Sequence, residues 1–237
     1  MYTNDYCFEG KLKVCQPEEG FRFSVDAVLL GRWVRHKKCA RVLDLGCGCG
    51  IMALMLAYLY PDMQVTGVEI QVALAEAARL NMVANDLANL KIINGDVRHL
   101  SPLELGAPFD IIVSNPPFFK PGAGRVNLHD GAALARHEIC LDLPQLADTA
   151  RRLLTNKGRL YVIYPAERLA EAIEIFTARG IIPKRLRCIH SHTGNSACLV
   201  LLEGCFQGNH GLKVEPPLYV YQSADKYTDE VAGMYQA

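Results

Sequence analysis

The chain has 237 residues, half of them apolar, and its 25 basic and 25 acidic side chains leave no formal net charge. This length predicts one large domain, or one domain with a small extension, around a full-sized hydrophobic core. The neutral total argues against a generally basic nucleic-acid-binding protein, although a local basic face can be hidden in it.

Nine cysteines are scattered along the chain, an odd number that does not fit the disulfide framework of a small secreted protein. Cys47 and Cys49 lie in a glycine-rich segment, and no second Cys or His pair stands at zinc-ligand spacing, so we interpret them as small side chains in a crowded turn. The polar start of the chain does not look like a signal peptide, and residues 51–60, the longest apolar run, are too short to cross a bilayer. We therefore expect a cytoplasmic protein with no bound metal and no membrane contact.

Residues 1–40 are predicted to form an arm packed on the main domain. Residues 8–14 alternate like a short strand or hairpin arm. An apolar helix is predicted over residues 27–34, and either Ser24 or Asp26 could cap it.

From Arg41 onwards, predicted strands alternate with predicted helices. The strands are 41–45, 65–70, 90–94, 109–114 and 159–164, followed by 183–189 and 197–203. The helices begin at 51, 74, 143 and 167, and Gly158 is expected near the end of the third. This pattern predicts an α/β fold with a doubly wound, mostly parallel, seven-stranded sheet. The last two strands have a short connection and can be antiparallel neighbours at one edge, and the tail after Gly204 is rich in turns.

The segment Asp44-Leu45-Gly46-Cys47-Gly48-Cys49-Gly50 follows the first strand of this sheet and opens a helix. Glycine permits a tight turn and lets a ligand approach the backbone. The helix N-terminus offers free N–H groups to a carboxylate or phosphate. The G-x-G-x-G spacing differs from that of dinucleotide binders and predicts a nucleoside-cofactor loop; the alternative is a glycine-rich turn without a ligand.

Two acidic residues follow the next two strands. Glu69 closes the second strand, where a carboxylate can accept hydrogen bonds from ribose hydroxyls. Asp96 follows the third strand, where it could accept from an adenine amino group. A solvated carboxylate at Glu69 and a turn-stabilising role for Asp96 remain the alternatives.

Asn115-Pro116-Pro117-Phe118 directly follows predicted strand 109–114. The two prolines end strand pairing and stiffen the backbone. They hold an amide, two carbonyls and an aromatic ring at the carboxyl edge of the sheet, where ligands bind in open α/β folds. These groups suit a planar substrate that carries an NH2, so the segment predicts transfer of a group onto an amino nitrogen; the alternative is a rigid turn.

These features occur in the order and at the spacing of class I S-adenosylmethionine-dependent methyltransferases, which the chain resembles from about residue 21 to 205. The Asn-Pro-Pro-[Tyr/Phe] motif marks the branch that acts on amino or amide nitrogens. Residues 20–30, Ala135-Arg136-His137-Glu138 and Tyr227-Thr228-Asp229-Glu230 look like those of the bacterial family that methylates N6 of an adenine beside the anticodon of a valine tRNA.

The resemblance implies S-adenosylmethionine as methyl donor and tRNA as substrate, and we favour a monomer. Residues 41–205 would form the catalytic domain, 1–40 an arm on the cofactor and substrate side, and 206–237 a tail. The implied cofactor contacts are Asp44, Gly46, Cys47, Gly48, Gly50, Glu69, Ile70, Asp96, Val97 and Asn115, with Arg22, Ser24 and Asp26 closing over the cofactor. The implied catalytic residues are Asn115, Pro116, Pro117 and Phe118: the Asn115 amide oxygen and the Pro116 carbonyl accept from N6–H, and Phe118 stacks on the base.

The residues that would hold the RNA are less sharply marked. Arg136 and His137 could contact it, and Lys184 and Arg185 could bind phosphates, although solvated faces are the alternative for both groups. Phe118 stands where the tRNA family often has Tyr. Rival functions are a ribosomal-RNA guanine-N2 methyltransferase, a protein glutamine-N5 methyltransferase and a cofactor-binding module that acts through a partner.

Overall fold

The structure, a computed structural model, describes residues 2–17, 25–116, 141–224 and 226–236. In chain order the elements are β1 (Tyr2–Cys7), β2 (Leu12–Pro17), α1 (Val25–Trp33), β3 (Arg41–Leu45), α2 (Ile51–Leu59), β4 (Gln64–Glu69), α3 (Val72–Ala84), β5 (Leu90–Asn94), α4 (Pro102–Leu105), β6 (Phe109–Ser114), α5 (Leu143–Leu153), β7 (Leu154–Pro165), a 3-10 turn (Ala166–Arg168), α6 (Leu169–Ala178), β8 (Ile181–His190), β9 (Ala197–Phe206), β10 (Lys213–Val214), β11 (Leu218–Tyr219), β12 (Tyr221–Ser223), β13 (Lys226–Tyr227) and α7 (Asp229–Met234).

A central sheet runs in the order β10-β8-β9-β7-β6-β3-β4-β5, with β11 also paired to β8. Only β9 is antiparallel to its neighbours; the other pairs are parallel. The predicted doubly wound, mostly parallel α/β fold is therefore confirmed. The sheet has nine strands rather than seven, because the two-residue strands β10 and β11 extend it beyond β8.

Strand β8 ends at the same edge of the sheet as β6, because β9 reverses direction between β7 and β8. One row of paired residues crosses the sheet from Val113 through Tyr161 and Glu203 to Arg185. Asn115, two residues beyond Val113, is therefore level with Arg187. Since β8 continues for three more residues, it rises about 10 Å above the level of Asn115.

The core lies in two layers, one on each face of the sheet. Helices α1, α2 and α3 and the C-terminal Val231 pack on one face, and α5 and α6 pack on the other. The strands between them are buried on both faces, which is why they read as nearly continuous apolar runs.

Helix α5 ends earlier than the sequence predicts. Its start is fixed by a capping box in which Asp142 and Gln145 bond reciprocally, but the helix stops at Leu153 and β7 begins at the next residue. The prediction that Gly158 lies near the helix end is wrong: Gly158 lies inside β7, where a Cβ would come within 2.9 Å of the Leu154 side chain. Leu153 and Leu154 are both buried, so apolar spacing does not mark the boundary between them.

The N-terminal strands form a hairpin that docks on α3. Residues 8–11 form its turn, with Phe8 and Glu9 at positive φ, so the predicted short strand or hairpin arm over residues 8–14 covers the turn and the first part of β2. The buried side chain of Asn81 accepts from the backbone N–H of Cys15 and donates to the carbonyls of Cys15 and Cys49. One turn further along α3, Asn85 bonds both backbone groups of Lys13.

The C-terminal segment contains more structure than a series of turns. After β10 and β11 join the sheet, β12 and β13 form a small hairpin, and Thr228 caps α7 by accepting from the Val231 N–H. None of the helices in the described part of the chain is long and apolar enough to cross a membrane.

Candidate active site

The glycine-rich loop between β3 and α2 is pinned to β4 by its backbone. The N–H groups of Gly46 and Cys47 both donate to the Val68 carbonyl, at 2.9 and 3.0 Å. Gly46, Gly48 and Gly50 have φ angles of 72°, 58° and 89°, a region that favours glycine. A Cβ at either of the first two would meet nothing within 4 Å, so backbone conformation demands glycine there and the space over the loop is open.

Gly50 has a different role, because it is both the N-cap of α2 and a packing contact. A Cβ at Gly50 would lie 3.1 Å from the Ala78 Cβ on α3. No side chain caps the helix here, and its first turn contains no acidic residue. The N–H groups of this turn and the positive end of the helix dipole are therefore suited to an anionic group of a ligand.

Asp44, the last residue but one of β3, is fully buried beneath the loop. Among the described residues, neither of its carboxylate oxygens has a hydrogen-bond partner. Burial raises the pKa of Asp44 to about 8; the Ala53 N–H opposes the rise without reaching hydrogen-bond geometry, and the Glu69 carboxylate adds to it. A buried carboxylate without a partner is costly, so this position is suited to a cationic group that would compensate it.

Glu69 ends β4 and is only 5% exposed. One of its oxygens accepts from the Gly48 N–H and the other from the Gln71 N–H, both at 2.9 Å. The alternative of a freely solvated carboxylate is therefore wrong. Each oxygen retains a second lone-pair direction, so Glu69 can hold the loop and still accept a hydrogen bond from a hydroxyl group.

Asp96 follows β5 and is held by Arg98. The guanidinium of Arg98 contacts both oxygens of Asp96, with a shortest distance of 2.6 Å, and its hydrogen bonds hold the pKa of Asp96 below the usual range. The Arg98 N–H also bonds this carboxylate, as expected for the turn-stabilising alternative. An adenine amino group at this position would have to share Asp96 with Arg98.

Three other predicted cofactor contacts contribute mainly through backbone and packing. The buried side chain of Cys47 fills the space left by Gly67 on β4, where a Cβ would come within 2.9 Å of its Sγ. Burial raises the pKa of this thiol well above its usual value, as expected for a small packed side chain. Val97 is buried in the core, and the half-buried Ile70 accepts a hydrogen bond at its carbonyl from Asn94.

The Asn115-Pro116 corner lies one strand away from the glycine loop. Strands β3 and β6 are parallel neighbours, and the buried hydroxyl of Ser114 donates to the Leu45 carbonyl at 2.9 Å. Ser114 directly precedes Asn115, and Leu45 directly precedes Gly46. Asn115 is half-buried and Pro116 is buried, so the amide is presented at the strand end with restricted freedom.

Several residues that support this edge were missed in the sequence. Ser114 is one; Asn94 is another, because its amide donates to the carbonyls of Glu69 and Ile70 and ties β5 to the end of β4. Arg152, on α5, donates to the carbonyls of Val97 and Leu100 and so holds the segment after β5. The position of Asn94 at the end of a predicted strand is a usable signal, whereas Arg152 looks like any surface cation on a helix.

Arg185 is not available to bind a phosphate, which corrects the sequence-based prediction. It is 5% exposed, forms ion pairs of 3.2 Å with Glu203 and Glu215, and stacks on the Trp33 ring with the guanidinium carbon 4.1 Å from the centroid. The contact with Glu203 lacks hydrogen-bond alignment, so it is an ion pair only. Lys184 is half-buried and donates to the Asn209 carbonyl.

Some predicted residues lie outside the described residues. These are Arg22 and Ser24, Pro117 and Phe118 with the loop that follows them, and Arg136 and His137. Asp26 is the second residue of α1, so it does not cap that helix.

Comparisons with known proteins agree with this architecture. Residues 25–176 match the methyltransferase small domain family. A tRNA1(Val) (adenine(37)-N6)-methyltransferase of Porphyromonas gingivalis is 36% identical over 178 residues, covering 72% of this chain and 69% of the relative. A protein of the same name from Tolumonas auensis is 34% identical over 185 residues, covering 76% of this chain and 75% of the relative.

Among solved structures, a protein from Agrobacterium tumefaciens described as a predicted O-methyltransferase superposes with a TM-score of 0.69 at 22% identity, covering 89% of this chain and 95% of the other. This likeness supports the fold. Because the family match covers well over half of the chain and the relatives align over most of their length, the chain belongs to the methyltransferase small domain family, among the tRNA1(Val) (adenine(37)-N6)-methyltransferases.

Proposed function

We propose that this protein transfers a methyl group from S-adenosylmethionine to the N6 amino group of an adenine in tRNA, at position 37 of a valine tRNA as the names of its relatives state. The observation that carries the proposal is the hydrogen bond from Ser114 to Leu45. This bond holds the end of β3, which leads into the glycine loop, against the end of β6, which leads to Asn115. The two strands are neighbours at a spacing of about 4.8 Å.

The residues around the glycine loop fit the proposed cofactor. The open space over Gly46 and Gly48 admits a ligand to the backbone, and the uncapped N-terminus of α2 suits a carboxylate. The unpartnered carboxylate of Asp44 suits a cationic ammonium group, and the remaining lone pairs of Glu69 suit ribose hydroxyls. When bound, S-adenosylmethionine would supply an electrophilic methyl group on a sulfonium, whose C–S bond breaks on transfer so that the neutral thioether S-adenosylhomocysteine is the leaving group.

Asn115 and Pro116 would act on the acceptor. An adenine amino group is a poor nucleophile, because its lone pair is delocalised into the ring. If the Asn115 amide oxygen and the Pro116 carbonyl both accept from N6–H, the nitrogen is drawn towards tetrahedral geometry and its lone pair can point at the methyl group. Orientation and fixed dipoles then supply most of the acceleration, and the proton leaves to water.

The target base must leave its stack to reach this corner. The cost is small in an anticodon loop, whose bases are unpaired. Phe118 would stack on the entering base and fix its plane, as the family resemblance implies.

The test is methyl transfer from radiolabelled S-adenosylmethionine to total RNA, DNA and protein, followed by nucleoside mass spectrometry. We expect N6-methyladenosine in tRNA. Label found only in protein, or as N2-methylguanosine, would overturn the substrate assignment in favour of one of the rival methyltransferases.

Replacing Asn115 by Ala separates binding from chemistry. We expect the donor to bind within a few-fold of wild type while methyl transfer falls by orders of magnitude. Asn209→Ala is the matched control, because Asn209 is an exposed asparagine in the segment after β9, at the opposite edge of the sheet. Undiminished transfer by Asn115→Ala would show that this amide does not act on the acceptor.

A further inference from the structure

Four rings from different elements form a continuous stack beside the carboxyl edge of the sheet. His192 stacks on Tyr221 with ring centroids 5.5 Å apart, Tyr221 on Tyr227 at 5.3 Å, and Tyr227 on Tyr235 at 5.6 Å. The angles between successive ring planes are 30°, 19° and 11°. We call these four rings the aromatic stack; all four are partly exposed.

The aromatic stack lies on the same edge of the sheet as Asn115. His192 follows the end of β8, and Tyr221 is bonded to the same end through its N–H, which donates to the Ser191 carbonyl. Three strand spacings, about 14 Å, separate β8 from β6. β8 also rises above the level of Asn115, so the aromatic stack lies beyond that residue at the same edge of the sheet.

His192 forms one end of the aromatic stack and is held by a braced turn. No other ring stacks on His192 among the described residues. The Asn195 N–H donates to the His192 carbonyl, and the Asn195 carbonyl lies 2.7 Å from Nδ1 of His190, whose ring in turn packs against Tyr219. His192 is partly exposed and the residues after it in this turn, 193–196, are exposed, so part of its surface is open to a planar group.

We propose that an unpaired base of the substrate RNA, a few nucleotides from the target adenine, stacks on His192 and extends the aromatic stack. The inference rests on the proposed function and names an additional contact for its substrate. Stacked aromatic side chains are a recurrent platform for single-stranded nucleic acid, since every base has a π-face, and loop bases beside a flipped adenine are available for stacking.

The two arginines of β8 nearest the aromatic stack are held in ion pairs, whereas Lys226, next to Tyr227, is exposed. Arg187, level with Asn115 on β8, is paired with Glu230 at 2.7 Å, and Arg185 is buried in its own ion pairs. Stacking requires no excess of basic residues, which agrees with the zero net charge of the chain. Stacking of a base on His192 therefore does not require Arg185 or Arg187 to bind phosphate.

The experiment compares His192→Ala with wild type in binding and methylating a tRNA transcript. We expect the Kd for the transcript to rise at least about fivefold, the equivalent of the lower limit of ~1 kcal/mol for base–aromatic stacking. The kcat and the donor affinity should stay within about twofold, because the base contacts neither the donor nor Asn115. The ratio of mutant to wild-type Kd should be equal at about 50 and about 200 mM salt, since stacking releases no counterions.

Matched variants separate stacking from other roles of the ring. His192→Phe should restore binding and His192→Leu should not, because leucine has similar bulk without a π-face. His210→Ala, an exposed histidine between β9 and β10 at the opposite edge of the sheet, should bind RNA like wild type. Equal affinity of His192→Leu and His192→Phe would overturn the inference.

RNAs with a single abasic nucleotide identify the stacked base. At one unpaired position near the target adenine, the abasic change should weaken wild-type binding as much as His192→Ala does, and the two losses should not add. If wild type methylates the tRNA but His192→Ala binds it equally well, the inference alone is wrong. If wild type methylates no RNA, the proposed function fails and the inference fails with it.

Discussion

Replacing Asp44 by Asn should stabilise the protein without ligand and weaken its binding of S-adenosylmethionine. Asp44 is fully buried, neither oxygen has a partner among the described residues, and burial raises its pKa to about 8. In the unfolded chain the group has an ordinary pKa of about 3.9. Folding at neutral pH therefore requires this carboxyl group to take up a proton.

The magnitude follows from the two pKa values. The cost of the proton uptake is ~1.4 kcal/mol for each pH unit above the pKa of the unfolded state, which amounts to about 4 kcal/mol at pH 7. Asn removes this cost but leaves a buried amide without partners, a loss of roughly 1–3 kcal/mol. The net gain should be about 2 kcal/mol, or ~4–8 °C in Tm for a chain of this size.

The pH dependence has a defined sign. Because the folded pKa lies above the unfolded one, the stability that Asp44 contributes is fully present below about pH 4 and is lost as the pH rises towards 8. The stability difference between Asp44→Asn and wild type should grow by about 1.4 kcal/mol per pH unit in this window and vanish near about pH 5.

Denaturant unfolding at a series of pH values measures this difference directly. Asp148→Asn is the control, because Asp148 is an exposed carboxylate on α5 paired with Arg179. Loss of this exposed ion pair should change the stability by at most about 1 kcal/mol. Parallel profiles for Asp44→Asn and wild type would refute the reasoning, since they would mean that Asp44 binds no extra proton in the folded state.

With S-adenosylmethionine bound, wild type should be more stable than Asp44→Asn, the reverse of their order without ligand. A cationic group beside Asp44 favours the ionised carboxylate, so wild type should release a proton when it binds S-adenosylmethionine at pH 7. Calorimetry in buffers of different ionisation enthalpy measures this release, which Asp44→Asn should lack.

Two further substitutions test the edge of the sheet and the correction to the RNA surface. Ser114→Ala removes the hydrogen bond to Leu45 and should cost about 1–2 kcal/mol in stability. It should also lower kcat several-fold with little change in donor affinity. An unchanged kcat would mean that strand pairing alone holds the spacing between β3 and β6. Arg185→Met removes the cation that Glu203 and Glu215 share, while Arg159 still pairs with Glu203 and Arg35 with Glu215. It should cost about 3 kcal/mol in denaturant unfolding, the low end for breaking a buried ion pair. A higher KM for tRNA at unchanged stability would instead show that Arg185 contacts RNA.

The parts of the fold that sequence reasoning recovered are those with strong local signals. Strands 90–94 and 109–114 have the predicted bounds, because each is an apolar run that ends at polar residues or at proline. The glycine loop is recognisable because positive φ angles require glycine at fixed intervals. Asp96 also has its partner close by, two residues along the chain at Arg98.

The missed features depend on groups that are distant in sequence. Arg185 belongs to a local basic run, and only the fold brings Trp33, Glu203 and Glu215 around it. The two-residue strands β10 and β11 have no periodicity of their own and exist because they pair with β8. The aromatic stack joins the loop after β8 to the C-terminal hairpin and α7, and no spacing of residues in the sequence indicates that these segments come together.

The order of the strands explains why the chemistry lies where it does. From β3 the chain proceeds outward through β4 to β5, but β6 returns to the other side of β3 and leads outward to β7. From the neighbouring strands β3 and β6 the chain therefore continues to strands on opposite sides of this pair, the arrangement that favours a crevice at their carboxyl ends. The Ser114–Leu45 bond spans these two strand ends, with Gly46 and Asn115 immediately beyond it. A parallel sheet could be inferred from the sequence, but the reversal that brings these two segments together could not, since it is set by which strands pair.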